Sequence, residues 1–164
     1  MSGVINPYEL PLIKKVKKAI LAIREYESFV GEQPALPGLE DNSGYQLCFS
    51  GGKDSSVIKA LADMAGVKYT GVYSVTTIDP PELVKFIKKE HPDVIRHRPE
   101  KNFFHYMVEK GFPLRQRRWC CDVYKHNTGF ARIKILGIRA QESAKRANNW
   151  KVLTRWNGGG EIRS

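Results

Sequence analysis

Tyr45-Gln46-Leu47-Cys48-Phe49-Ser50-Gly51-Gly52-Lys53-Asp54-Ser55 reads as a strand that stops on two glycines and passes straight into a helix. The run Tyr45 to Phe49 suits a short strand, and the glycine pair ends it. Asp54 is expected to cap the helix, whose buried side would carry Val57, Ile58, Leu61 and Met64. Gly66 closes that helix. Lys68 to Val75 then alternates as a second strand, with Tyr69, Gly71, Tyr73 and Val75 on one face. Strand, helix and strand in so short a span form a βαβ unit, so the two strands are expected to be parallel.

Downstream, Asp79 is expected as an N-cap, with Pro80 at the first helical position and Glu82 three residues past the cap. That helix runs to about His91, and Val94 to His97 makes the next strand. A third helix spans Asn102 to Lys110 and stops at Gly111; residues 112–131 are less regular, and Ile133 to Ile138 is an apolar strand. After Ala140 the pattern fades, and Asn157 to Gly160 reads as flexible. Upstream, residues 11–30 read as an amphipathic helix with Ile13, Val16, Ile20 and Ile23 on one stripe. Lys14, Lys15, Lys17 and Lys18 lie largely off that stripe, as a solvated face. Residues 31–44, rich in proline and glycine, read as a linker.

The 164 residues suffice for one domain with a real core, and 41% hydrophobic with 27% charged residues is a soluble globular composition. No apolar run approaches the roughly 18 residues of a membrane span, and the start lacks a secretory pattern, so a cytoplasmic location without membrane is expected. Three cysteines, two of them adjacent, make a poor disulfide framework, and reduced thiols are expected. The net charge of +10 favours a polyanionic partner, either a phosphate-bearing small molecule or a nucleic acid.

The Gly51-Gly52 turn is a recipe for phosphate binding. Glycines let the backbone approach a ligand with no Cβ in the way, and the helix start presents N–H groups and the positive end of its dipole. Ser50 and Ser55 add hydroxyl donors, and Lys53 adds a charge that can follow a phosphate. Asp54, acceptor-only when ionised, suits a cap or a metal ion better than a phosphate. The spacing of a Walker loop is absent, and so are the three spaced glycines of a dinucleotide fold.

Ser50-Gly51-Gly52-Lys53-Asp54-Ser55 resembles the Ser-Gly-Gly-x-Asp-Ser signature of the PP-loop nucleotide hydrolases. That superfamily includes ATP pyrophosphatases, tRNA thiolation and lysidine enzymes, and reductases of phosphoadenosine phosphosulfate (PAPS) and adenosine phosphosulfate (APS). Three further segments resemble the reductase branch. They are Thr76-Thr77-Ile78-Asp79-Pro80-Pro81-Glu82, without an intact Asp-Thr-Gly; Arg118-Trp119-Cys120-Cys121 with Lys125; and Gly137-Ile138-Arg139-Ala140-Gln141-Glu142-Ser143 with Arg146. The resemblance implies a doubly wound α/β fold, a mostly parallel sheet with helices on both faces and the nucleotide at the strand ends. Residues 1–44 would then be an N-terminal helix and linker, and 45–164 one nucleotide-binding unit that lacks the family's C-terminal part.

The same resemblance places Ser50, Gly51, Gly52, Lys53, Asp54, Ser55, Thr76, Arg139 and Arg146 around the nucleotide. Guanidinium forks at Arg139 and Arg146 can grip phosphate or sulfate bidentately, with Lys125 as a point charge on the same anion. Sulfonucleotide reductases attack sulfur with a thiolate from near the C-terminus, and this sequence has no cysteine after Cys121. Cys121 or Cys120 is therefore the candidate nucleophile, activated by Lys125 and the arginines, with a thioredoxin-like thiol partner to resolve the product. No Cys-x-x-Cys accompanies the pair, so a self-contained iron–sulfur cluster is not expected. Two other readings stand beside the reductase: an ATP-pyrophosphatase-type sulfur-transfer enzyme using Mg²⁺ and modifying tRNA or DNA, and a non-catalytic nucleotide-binding module serving a partner chain.

Overall fold

A computed structural model describes residues 9–27, 44–114, 116–126, 133–138, 155–156 and 162–163. Helix α1 (Glu9–Glu25) precedes strand β1 (Tyr45–Phe49), helix α2 (Lys53–Ala65) and strand β2 (Tyr69–Ser74). Helix α3 (Pro81–Glu90), strand β3 (Ile95–His97) and helix α4 (Phe103–Lys110) follow. A short turn of helix, α5 (Trp119–Cys121), runs into a π-helical turn over Asp122–His126, and strand β4 (Lys134–Ile135) comes next. Strands β5 (Arg155–Trp156) and β6 (Ile162–Arg163) pair antiparallel as a separate ribbon. All of the predicted linker at 31–44 except Gly44 lies outside the described residues, as do residues 139–154. Among the described residues no helix is long and apolar enough to cross a membrane.

The first four strands form one all-parallel sheet in the order β3-β2-β1-β4, with the helices around it. This is the α/β architecture the sequence led us to expect. β1 pairs residue for residue with β2, from Tyr45 opposite Tyr69 to Phe49 opposite Tyr73. On its other edge β1 pairs with β4, Gln46 opposite Lys134 and Leu47 opposite Ile135. The chain thus steps outward from β1 through β2 to β3, then returns past β1 to place β4 on the far side. Right-handed crossovers put α2 and α3 on one face of such a sheet and send the returning connection, which carries α4, to the other.

The core forms where α1, α2 and α3 meet one face of the sheet. Tyr45, Leu47, Phe49 and Tyr73 pack there with Ala62, Ala65 and Ile87, and Ile20 and Ile23 of α1 close over them. Full burial of a side chain such as Leu47 or Ile87 stabilises by about 2 kcal/mol. Two polar contacts fix α1: the Tyr45 hydroxyl donates to the Ile23 carbonyl at 2.6 Å, and Arg24 Nε donates to the Ala65 carbonyl at 2.8 Å.

Several sequence expectations shift. The buried residues of α2 are Ser55, Ala62 and Ala65, with Ile58 and Leu61 half-buried, whereas Val57 and Met64 face solvent. Small residues bring a helix axis close to a sheet, so the alanine stripe rather than the bulkiest one turned inward. Gly52, not Asp54, is the N-cap of α2, and no side chain caps it. Likewise Pro80, not Asp79, stands at the N-cap of α3, which begins at Pro81. The Asp79 carboxylate is turned back instead, accepting from the Thr76 N–H at 2.8 Å. The helix at Phe103 is capped by Asn102, whose side chain accepts from the His105 N–H at 2.9 Å. The strand expected over 133–138 pairs only at Lys134 and Ile135.

Candidate active site

Parallel strands end together, and in this strand order the topological switch point lies between β1 and β4. A crevice for a ligand opens at such a point, outside the carboxyl ends of the strands. The loop Ser50 to Ser55 leaves β1 at that place. Gly51 takes the left-handed conformation at φ 72°, and a Cβ there would lie 2.6 Å from Leu83 Cδ1 and 3.0 Å from Ile87 Cδ1. Glycine at 51 is therefore required twice, by the turn and by the approach of α3. Gly52 differs. Its backbone is extended at φ −85° and ψ 164°, and a Cβ would meet nothing closer than Ser50 Oγ at 3.5 Å. The space beside Gly52 is open for a ligand.

The loop is tied by its own polar groups. The Gly52 carbonyl accepts from the Ser56 N–H at 3.0 Å and from the Ser55 hydroxyl at 2.8 Å. Ser55 is buried, and its oxygen in turn accepts from the Ser50 hydroxyl at 3.2 Å. Ser55 thus shapes the loop, while exposed Ser50 and Lys53 stand at its open side. The N–H groups of residues 53–55 precede the first intrahelical bond of α2, where a helix start holds anions.

β4 flanks this helix start. A Cβ on Gly137 would lie 3.4 Å from the Asp54 carbonyl carbon and oxygen, so the chain leaving β4 runs against the first turn of α2. Two residues on comes Arg139, which with Arg146 and the Lys125 side chain lies outside the described residues. The oxygens of Asp54, Ser50 and Ser55 are hard donors of the kind that suits Mg²⁺ held together with nucleotide phosphates. This sequence holds three cysteines, and a four-cysteine cluster takes four.

The neighbouring loop, after β2, supplies features that the sequence did not announce. Thr77 adopts φ 68°, rare for a β-branched residue, and its hydroxyl oxygen accepts from the Phe103 N–H at 2.8 Å. The Thr76 oxygen accepts from the Ile78 N–H at 3.4 Å. Two buried phenols, Tyr73 and Tyr124, have no hydrogen bond of good geometry among the described residues. Burial raises both above the usual tyrosine range; the Asp79 carboxylate adds to this for Tyr73. For Tyr124 the Thr77 side chain opposes the rise, while Tyr106 and Cys120 reinforce it. Cys120 and Thr77 thus both act on one phenol, which brings the Cys120 segment up to the loop that follows β2.

Cys120 and Cys121 are half-buried cysteines of α5, not joined in a disulfide, just before the π-helical turn. Single π turns are frequent at functional sites. Trp119 anchors the segment: its indole N–H donates to the Gly111 carbonyl at 3.0 Å, and its ring packs against Phe103 and Tyr106. Cys48, in β1, has its thiol pushed up by burial, with Lys134 opposing. Thiolate is the reactive form. Pulse alkylation with iodoacetamide at pH 8, followed by peptide mass spectrometry, is therefore expected to label Cys48 last of the three.

Residues 45–160 match the family model described as the phosphoadenosine phosphosulfate reductase domain. Two curated proteins of Methanocaldococcus jannaschii are similar to the chain. Uncharacterized protein MJ0973 is 28% identical over 68% of this chain and 26% of its own length. Uncharacterized protein MJ0066 is 29% identical over 92% of this chain and 30% of its own length. The chain thus spans under a third of each of these relatives. No solved structure matches.

Proposed function

Because this chain belongs to the phosphoadenosine phosphosulfate reductase family, we propose that its glycine loop binds the phosphates of an adenylylated nucleotide, PAPS, APS or ATP. The observation that carries this reading is the open backbone at Gly52. It sits on a helix start at the switch point of the sheet, with β4 closing one side. The helix N–H groups and Lys53 would hold the phosphates, Ser50 would turn its hydroxyl to them, and Arg139 and Arg146 would grip the far end of the anion. Thr76 would border the nucleotide from the end of β2.

In the reductase chemistry, the thiolate of Cys121 or Cys120 attacks the sulfate sulfur. The bond from sulfur to the bridging phosphate oxygen breaks, and its electron pair leaves with the nucleotide. The cysteine then carries a sulfonate. A dithiol partner of the thioredoxin kind attacks the cysteine sulfur, sulfite departs, and the partner's second thiol closes a disulfide, which accounts for the two electrons. Lys125 would favour the attacking thiolate. A second reading rests on the charge of +10: ATP activation of a nucleic-acid substrate at the α-phosphate.

Calorimetric titration of the reduced protein with PAPS, APS, ATP and AMP separates the two. Preference for PAPS or APS, with sulfite release lost in Cys121→Ser or Cys120→Ser, is the expected result. Preference for ATP would transfer the assignment to the second reading, and binding of none would remove both.

A further inference from the structure

The inner face of α4 carries half-buried Phe103 and Tyr106. Phe103, Tyr106, Trp119 and Tyr124 form a continuous aromatic cluster, with ring centroids 5.3–6.3 Å apart. The outer face is exposed. Phe104 is 61% exposed and Val108 85%, one turn apart on the same stripe, and just past the helix Phe112 and Leu114 are 72% and 59% exposed. An apolar strip of this kind on a short helix marks a contact surface.

Its surroundings say what the contact is. Residues 96–118 hold seven Lys or Arg against two Glu, a surplus of five and half of the net charge of the whole chain. One of those two acids, Glu109, is already paired with Lys101. The chain returns to the end of α4 through the Trp119 bond to Gly111, and a turn in which the Arg117 N–H donates to the Leu114 carbonyl at 3.0 Å precedes it. Exposed Arg117 and Arg118 are thereby set beside exposed Phe112 and Leu114.

Exposed phenyl faces among guanidinium and ammonium groups match the chemistry of a single-stranded nucleic acid, whose bases offer flat apolar faces and whose phosphates offer the charge. A duplex hides its base faces from such rings. We propose that the outer face of α4, with Phe112, Leu114, Arg117 and Arg118, binds single-stranded nucleic acid. The proposal does not rest on the nucleotide chemistry of the glycine loop, and the nucleotide titration above is independent of it.

The test is fluorescence anisotropy with labelled 15-nucleotide oligo-dT and oligo-U, and a duplex of equal length, over a range of salt concentrations. Single strands are expected to bind more tightly than the duplex, and more weakly as salt rises. Phe104→Ala and Phe112→Ala should each weaken binding about tenfold. Arg117→Glu with Arg118→Glu should weaken it further and flatten the salt dependence. The binding of PAPS, APS or ATP by these variants, together with their circular dichroism, reports that they remain folded. Equal binding of duplex, indifference to both phenylalanine substitutions, or no binding of any oligonucleotide would overturn the proposal. So would sedimentation showing a dimer that Phe104→Ala dissolves, since the strip would then belong to a second copy of the chain.

Discussion

Gly52→Asp is expected to abolish nucleotide binding while leaving the protein as stable as before. The two effects separate because position 52 is the N-cap of α2 and has ordinary extended dihedrals with open space at its Cβ. Aspartate is among the preferred N-cap residues and exceeds glycine there by a few tenths of a kcal/mol. The same carboxylate, however, would occupy the place where the N–H groups of residues 53–55 receive an anion. Opposed like charges at a binding surface cost several kcal/mol, so affinity should fall by roughly 100-fold or more. Calorimetry with the preferred nucleotide and a thermal melt of the same sample decide it. A variant that binds normally would show that the phosphates lie elsewhere. One that unfolds would show that the loop was misjudged as tolerant.

Gly51→Ala, one residue away, should behave in the opposite manner and act on the fold. Holding a side chain at φ 72° costs about 1–2 kcal/mol. Forcing a methyl against Leu83 and Ile87 of α3 adds about 1–3 kcal/mol of overpacking. A total of roughly 3 kcal/mol is a large part of the stability of a small domain. The steric part is separable by a double-mutant cycle with Leu83→Ala, which opens the space nearest the new methyl. Truncating Leu83 should be cheaper in the Gly51→Ala background than in the wild type by about 1 kcal/mol or more in urea melts. Strict additivity would assign the whole cost to the backbone.

These two glycines also show how far the sequence can be read. The strand, the glycine turn and the helix are local features, because apolar runs and a Gly-Gly pair announce themselves within ten residues; β1 falls where expected, and α2 starts at Lys53, ahead of the expected cap at Asp54. The difference between Gly51 and Gly52 is not local. It depends on Leu83 and Ile87 of α3, some thirty residues later, meeting one glycine and not the other. The buried face of α2 differs from the one its residue sizes suggest for a related reason. Val57 and Met64 look like core by size, but Ala62 and Ala65 allow the helix to lie close. Asp79 has the composition of a cap, yet its carboxylate is drawn back to Thr76, which moves the helix start to Pro81. Nothing in the residue types marks Thr77 as left-handed or the Tyr73 and Tyr124 hydroxyls as buried beside Asp79 and Thr77; tertiary packing alone creates these features. The glycine loop is legible as a motif, whereas Arg139, Arg146 and the Lys125 side chain lie outside the described residues.

The pairing of β4 with β1 has a consequence for how the protein matures on the ribosome. Gln46 meets Lys134, so the crevice gains its second wall only after most of the domain has been synthesised. The glycine loop and the two strands beside it can assemble early from neighbouring segments. The β4 wall must wait for a long loop to close, a step whose entropic cost is met by a very short stretch of pairing. A nascent chain released before residue 133 would own the whole phosphate signature yet lack a finished crevice. A nucleotide that touches both walls would favour the docked strand by mass action, and so would act as a folding aid for its own site.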